Sequence, residues 1–182
     1  MSRLTMLTPS QMNQKQLDLY ELLTKNQGTD VQMTNSDGSL VGPFNLMVHE
    51  PRLGAALQKL GGIILYRGSL TERAREIAIL CVAAHQQSDF ERSAHEAIGR
   101  SAGLTDEEMG TIAARGQLLL ADSVEACVFQ VSRSLLEKGD LNDAEYAEAT
   151  NILGESGLIE LSTVIGYYSL VALQLRLFRV AG

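Results

Sequence analysis

Between Glu76 and His85 the chain reads Ile77-Ala78-Ile79-Leu80-Cys81-Val82-Ala83-Ala84, with no charged side chain. A helical segment apolar on every side must be covered all round. Eight residues cannot cross a bilayer, which needs about 20. The run therefore belongs at the centre of a packed core. A second apolar stretch, residues 161–178, is interrupted by Ser162, Thr163, Ser169, Gln174 and Arg176. It reads as a buried helix, not a membrane span. Covering two such segments in a chain of 182 residues predicts a contribution from further copies of the chain.

The period around these segments is helical throughout. Ser10 is placed to cap a helix over about 11–25. Gly28, Asn35, Asp37-Gly38 and Gly42-Pro43 then mark a long loop, 26–43. Pro51 can open the next helix. Leu53, Ala56, Leu57, Leu60, Ile63 and Ile64 fall on one face of it, and Gly68 ends it. Ser69 through Glu72 fits a capping box for a helix over about 70–86. Ser88 through Glu91 fits another, for about 89–102, and Thr105 through Glu108 a third. Asp122 or Ser123 starts a helix stopped by Gly139. Asn142 through Glu145 caps the next, and a last helix runs from about 158 to the end. No strand pattern or repeat interrupts this series. The expected fold is all-α, about eight helices in one domain over 1–182: an N-terminal helix and loop (1–43) and a helical core (44–182).

Composition narrows function mainly by exclusion. The net charge of −7, with no basic block, argues against nucleic acid and against an acidic membrane surface. The two cysteines, Cys81 and Cys127, form neither a disulfide framework nor a zinc pattern. No secretory signal is visible at the start, so a soluble cytoplasmic protein is expected.

One constellation could carry chemistry. Glu91 and His95 are four apart on one predicted helix and share a face. An imidazole beside a carboxylate is a plausible acid/base pair. Glu76 opens an otherwise apolar helix, and a buried carboxylate needs a partner or keeps its proton. Plainer readings compete. Glu91 could only complete the Ser88 box, His95 could be an exposed helix residue, and Glu76 could pair with Arg73 at the surface. His85 suits a helix C-terminus. A metal site from His85, Glu91 and His95 lacks any HExxH or CxxC spacing, so no metal is expected.

The same residues carry a resemblance. Arg75 through Leu80, Val82-Ala83-Ala84-His85, Ser88-Asp89-Phe90-Glu91, Ala94-His95 and Ala102-Gly103-Leu104 resemble the signature of the carboxymuconolactone decarboxylase family. That family shares its all-helical fold with the AhpD-type alkylhydroperoxidases. Flanking segments, Gly42-Pro43-Phe44-Asn45, His49-Glu50-Pro51, Gly157 through Leu161 and Gly166-Tyr167-Tyr168, resemble its longer members. The redox branch has a CxxC where this chain has Ser88 and Glu91. The decarboxylase branch has an aromatic-Glu-Trp-x-x-His pattern, which Phe90, Glu91 and His95 match and Arg92 breaks.

The resemblance implies that Glu76 and His95 face one another across a helix pair. His95 would be the general acid, Glu76 its orienting partner and Glu91 a second relay carboxylate. Arg75, Ser88 and Arg92 would meet the substrate. The implied activity is that of a cofactor-independent, decarboxylase-type lyase acting on a small carboxylated lactone or related acid. The alternatives are an AhpD-like peroxidase, disfavoured without the CxxC, and a non-catalytic oligomeric binding protein. The implied assembly is a homo-trimer or homo-hexamer, and the implied partner a small-molecule carboxylate.

Overall fold

The computed structural model describes residues 2–25 and 33–180. Among them are eight α-helices and a short 3-10 turn, and the only strand-like pairing is a single bridge between Thr34 and Leu40. The expected all-α class and helix number are observed. Residues 26–32, the front of the expected 26–43 loop, lie outside the described residues. The chain divides into two compact units, Met1–Ile63 with Leu173–Gly182, and Ile64–Ala172. The divisions fall inside helices.

In the first unit, α1 (Gln14–Lys25) and α2 (Gly42–His49) pack together around Leu19, Leu23, Leu40, Met47 and Val48. Ser10 does not cap α1. It lies in the 3-10 turn Pro9–Gln11. Asn13 starts the helix instead, through a reciprocal pair: its Oδ1 accepts from the Gln16 N–H at 3.2 Å, and Gln16 Oε1 accepts from the Asn13 N–H at 2.9 Å. Helix α2 was not expected. Gly42-Pro43 reads as a loop signal, yet Pro43 sits in the first turn, where a missing N–H costs nothing. Asn45 of α2 is fully buried and holds the N-terminal arm, donating to the Thr5 carbonyl and accepting from the Leu7 N–H, both at 3.1 Å.

Pro51 opens α3 (Pro51–Tyr66) as expected. Gly54 lets this helix approach α2, since a Cβ there would collide with the Met47 carbonyl. The predicted apolar face is only partly used. Ile64 is buried, but Leu53 is 64% exposed, Leu60 36% and Ile63 44%.

In the second unit, α4 (Glu72–Gln86) packs against α5 (Asp89–Ser101), α6 (Asp106–Ala113) and α7 (Ser123–Lys138). Residues 77 to 83 are all buried, so this chain covers its own apolar run without a second copy. The cap of α4 is Thr71, whose side chain accepts from the Ala74 N–H at 3.2 Å. Ser69, the expected start of the box, instead donates from its N–H (2.7 Å) and hydroxyl (2.6 Å) to Glu160. Ser88, Thr105 and Asp122 cap α5, α6 and α7 as expected.

Helix α8 (Asp143–Phe178) is broken at Gly154, whose φ of 70° and ψ of 166° are not helical. Glycine tolerates that backbone where other residues do not. Two arms result, 143–153 and 155–178. Leu161, Val164, Ile165 and Tyr168 are buried on one side of the second arm, while Ile159 and Leu170 remain exposed. The stretch from Leu161 is therefore not covered all round by its own chain.

Candidate functional site

Helix α5 places Glu91, His95 and Gly99 in one buried row, spaced four apart. This row meets α4 at Glu76, which is fully buried. The His95 Nδ1 lies 2.7 Å from Glu76 Oε2. With Nδ1 protonated, the ring donates to the carboxylate and leaves Nε2 as the group that can gain or lose a proton. Nε2 lies 3.6 Å from Glu91 Oε2. One imidazole thus stands between two carboxylates. His95 itself is 6% exposed and Glu91 3%.

The plainer readings of these residues fail for specific reasons. Arg73 does not pair with Glu76. Its Nε donates to both oxygens of Glu125 at 3.0 Å, its Nη2 to Glu108 at 2.6 Å, and its Nη1 to the Gly103 carbonyl. Glu91 uses its backbone N–H for the Ser88 cap, at 3.4 Å, while its side chain turns to His95. His95 is not a surface residue.

Burial pushes the Glu91 carboxyl above the usual glutamate range, and the neighbouring His95 pulls it partly back. One Glu91 oxygen and one Glu76 oxygen are buried without a hydrogen-bond partner. Arg75 closes the other side of Glu76, with its Nε at 3.8 Å from Oε1. That nitrogen is also buried and without a hydrogen-bond partner. A site with unsatisfied donors and acceptors facing inward is suited to a polar ligand or to water.

Two tyrosines complete the surroundings, and sequence reasoning gave neither a role. The Tyr168 ring meets the His95 ring edge-on, with centroids 4.9 Å apart. Tyr167 meets Tyr168 in the same manner at 5.2 Å. Burial pushes the Tyr167 hydroxyl up to about 12, with the Glu91 charge adding to the effect. Tyr168 is likewise raised well above its ordinary value, again by burial first. Both therefore stay neutral near pH 7 and can donate. Adjacent tyrosines on an aliphatic helix, in a chain with only five, were the available signal.

The remaining expected contacts lie elsewhere. Ser88 and Arg92 line a groove of about 460 Å³ that includes neither Glu76, Glu91 nor His95. Arg92 is half-exposed, within 3.6 Å of Asp89 and 3.9 Å of Glu96. The cysteines are free and buried. Burial pushes the Cys81 thiol up to about 12 and raises Cys127 as well. Among the described residues no group of three His, Cys, Asp or Glu side chains is arranged to hold a metal ion.

Residues 51–132 match the Carboxymuconolactone decarboxylase family. The matched segment is 82 of the 182 residues. It contains all three residues of the imidazole cluster, whereas Tyr167 and Tyr168 come from outside it. The fold of the whole chain is AhpD-like. A peroxidase-related protein from Ralstonia eutropha JMP134, described as an alkylhydroperoxidase AhpD core, superposes with a TM-score of 0.76 at 13% identity. The match covers 99% of this chain and 91% of that one. A peroxidase-related protein from Silicibacter sp. TM1040 gives the same TM-score and coverage at 10% identity. No curated protein sequence matches the chain.

Proposed function

We propose that this protein is a member of the carboxymuconolactone decarboxylase family and a cofactor-independent acid/base enzyme, a decarboxylase-type lyase acting on a small carboxylated lactone or related acid. The observation that carries the reading is the imidazole of His95 held between Glu76 and Glu91. In such a reaction the bond to the carboxylate carbon breaks, CO2 leaves, and the electron pair passes into the conjugated lactone. A proton must then reach carbon. His95 Nε2 delivers it, Glu76 fixes the ring through Nδ1, and Glu91 resupplies the proton. Burial, by favouring protonated Glu91, prepares it as that donor. Arg75 is the cation available beside the cluster for the substrate carboxylate. A positioned general acid contributes about 10²–10⁴-fold in rate.

The peroxidase alternative needs a thiolate attacker and a second thiol to resolve it. The position facing His95 is Glu91, and both cysteines are buried with raised thiols, which supports the lyase reading. The binding-protein alternative would be favoured by Arg92 filling the site, but Arg92 lies in the separate groove. The reading includes a homo-oligomer, a trimer or hexamer, supported by the exposed Leu53, Leu60 and Ile63 on one face of α3.

The test is CO2 release from carboxymuconolactone and related lactone acids. The parent protein should turn over at least one of them, and His95→Ala should lose about 10²–10⁴-fold. Full turnover by His95→Ala would overturn the assignment.

A further inference from the structure

Tyr168 is the one buried residue on the second arm of α8 with a polar side chain. Leu161, Val164, Ile165, Val171 and Ala172 share its face and are all aliphatic. A position that served packing alone would hold leucine or phenylalanine there. A buried tyrosine hydroxyl normally has a hydrogen-bond partner. Among the described residues, neither Tyr168 nor Tyr167 bonds to another group through its hydroxyl. The side-chain atoms that are both unpaired and sealed from solvent are Arg75 Nε, Glu76 Oε1, His85 Nδ1, Glu91 Oε1 and Ser132 Oγ. The Tyr168 oxygen is not one of them. Although the whole residue is only 5% exposed, its hydroxyl opens onto reachable space.

The imidazole cluster surrounds that hydroxyl. The Tyr168 ring stands edge-on to His95, with centroids 4.9 Å apart, and Tyr167 packs edge-on against Tyr168 at 5.2 Å. The Glu91 charge reaches both hydroxyls, and the Glu76 charge reaches Tyr168 as well. Phenol donors and carboxylate acceptors thus lie near one another in one buried cluster without bonding to each other. Groups so arranged are satisfied by a molecule placed between them. The ring contact with His95 does not require the hydroxyl, since phenylalanine would present the same edge. What the hydroxyl adds is a neutral donor beside the imidazole.

Loss of CO2 leaves two needs at two atoms. The carbon that lost the carboxylate requires a proton, and the lactone carbonyl oxygen carries the negative charge until that proton arrives. His95 meets the first need. An ionised carboxylate only accepts hydrogen bonds, so Glu76 and Glu91 are poorly suited to the second. A fixed donor aimed at the oxygen where charge develops is among the strongest catalytic devices.

We infer that Tyr168 is a further catalytic residue, whose hydroxyl donates a hydrogen bond to the lactone carbonyl oxygen while His95 delivers the proton to carbon. The bond to the carboxylate carbon breaks, and its electron pair passes through the conjugated system to that oxygen. The pair returns to carbon as the His95 Nε2 proton is added, and Tyr168 keeps its own proton throughout. The inference rests on the acid/base reading given above.

The test uses Tyr168→Phe in the full chain and two probes. Tetronic acid, an anion at neutral pH, carries enolate charge on a lactone ring, and γ-crotonolactone is a neutral lactone of the same ring size. Calorimetry gives the affinities, and the His95 ring resonances place the binding. The parent should bind tetronate more tightly than γ-crotonolactone and shift those resonances. Tyr168→Phe should weaken tetronate binding about 10–100-fold and change γ-crotonolactone binding by less than about threefold. It should be no less stable than the parent, because the hydroxyl it removes is unpaired. With carboxymuconolactone, kcat should fall about 10²–10³-fold at unchanged KM. Equal loss for both probes, or a lowered Tm, would mark the tyrosine as structural and overturn the inference. No preference of the parent for tetronate would overturn it too. If the parent turns over carboxymuconolactone and Tyr168→Phe keeps full kcat, the inference falls and the acid/base reading stands. If the parent turns over no lactone acid but holds tetronate through Tyr168, the lyase reading falls and the hydrogen bond to a lactone oxyanion is upheld.

Discussion

His95 and Glu76 stand 19 residues apart in the chain and 2.7 Å apart in space, joined by a hydrogen bond between Nδ1 and Oε2. Both ends of that bond are buried. The bond fixes the ring, and it gives one oxygen of the buried Glu76 carboxylate its hydrogen-bond partner.

Glu76→Ala should therefore harm stability as well as any activity. Breaking a buried pair by removing one partner costs about 3–5 kcal/mol. Glu76→Gln retains an acceptor for the Nδ1 proton and should recover most of that loss, while turnover stays low because the ring has lost its anionic partner. Denaturant unfolding of both variants beside a decarboxylation assay separates the two effects. Equal destabilisation by Ala and Gln would contradict the role given to the hydrogen bond.

Glu91 makes stability depend on pH in a defined sense. Burial raises its carboxyl above the ordinary value of 4.5, so the folded chain holds that proton more tightly than the unfolded chain. The stabilisation is fully present below the ordinary value and is lost as pH rises through the folded value. Glu91→Gln is neutral throughout. Its stability relative to the parent should rise as pH increases from about 4.5. Thermal unfolding across pH 4 to 8 checks this, and parallel curves would refute it.

The thiols provide an independent check on the redox alternative. Cys81, with its thiol pushed up to about 12, should resist a thiol reagent in the native protein and react once it is unfolded. Cys127 should behave likewise. Fast native reaction at both positions, together with peroxide turnover, would restore the peroxidase reading.

Arg73 binds together α4, α6 and α7 through Glu108 and Glu125. Its side chain is 22% exposed, between a surface bridge and a buried one. Arg73→Ala should cost on the order of 1–2 kcal/mol and leave the chemistry at His95 intact. Loss of turnover in a folded Arg73→Ala protein would mean that the network also positions the site.

The exposed α3 stripe leads to a solution measurement. Sedimentation of the parent should show a trimer or hexamer, and Leu60→Glu should shift it toward monomer. A monomeric parent at micromolar concentration would remove the oligomer from the reading.

Capping residues and helical period were enough to place α4, α5, α6 and α7, because Thr105, Asp122 and Gly139 act within one turn of their own sequence. The apolar run 77–84 by itself required a central helix, since no other position hides all its sides. Glu91 and His95 share a face by spacing alone. Local rules misled at Ser10, which sits in a 3-10 turn instead of capping α1, and at two further points. Gly42-Pro43 serves a loop and a helix start equally well, and Ser69 gave up a cap role to Glu160, which lies far along the chain. What the tertiary structure decided was which charged groups became partners. Arg73 went to Glu108 and Glu125, which left Glu76 to His95. Tyr167 and Tyr168 came in from α8, and Arg92 was turned into a separate groove. Those choices depend on side chains brought together from distant helices, where desolvation makes an unpaired charge too costly to leave alone, and no spacing within one helix encodes them.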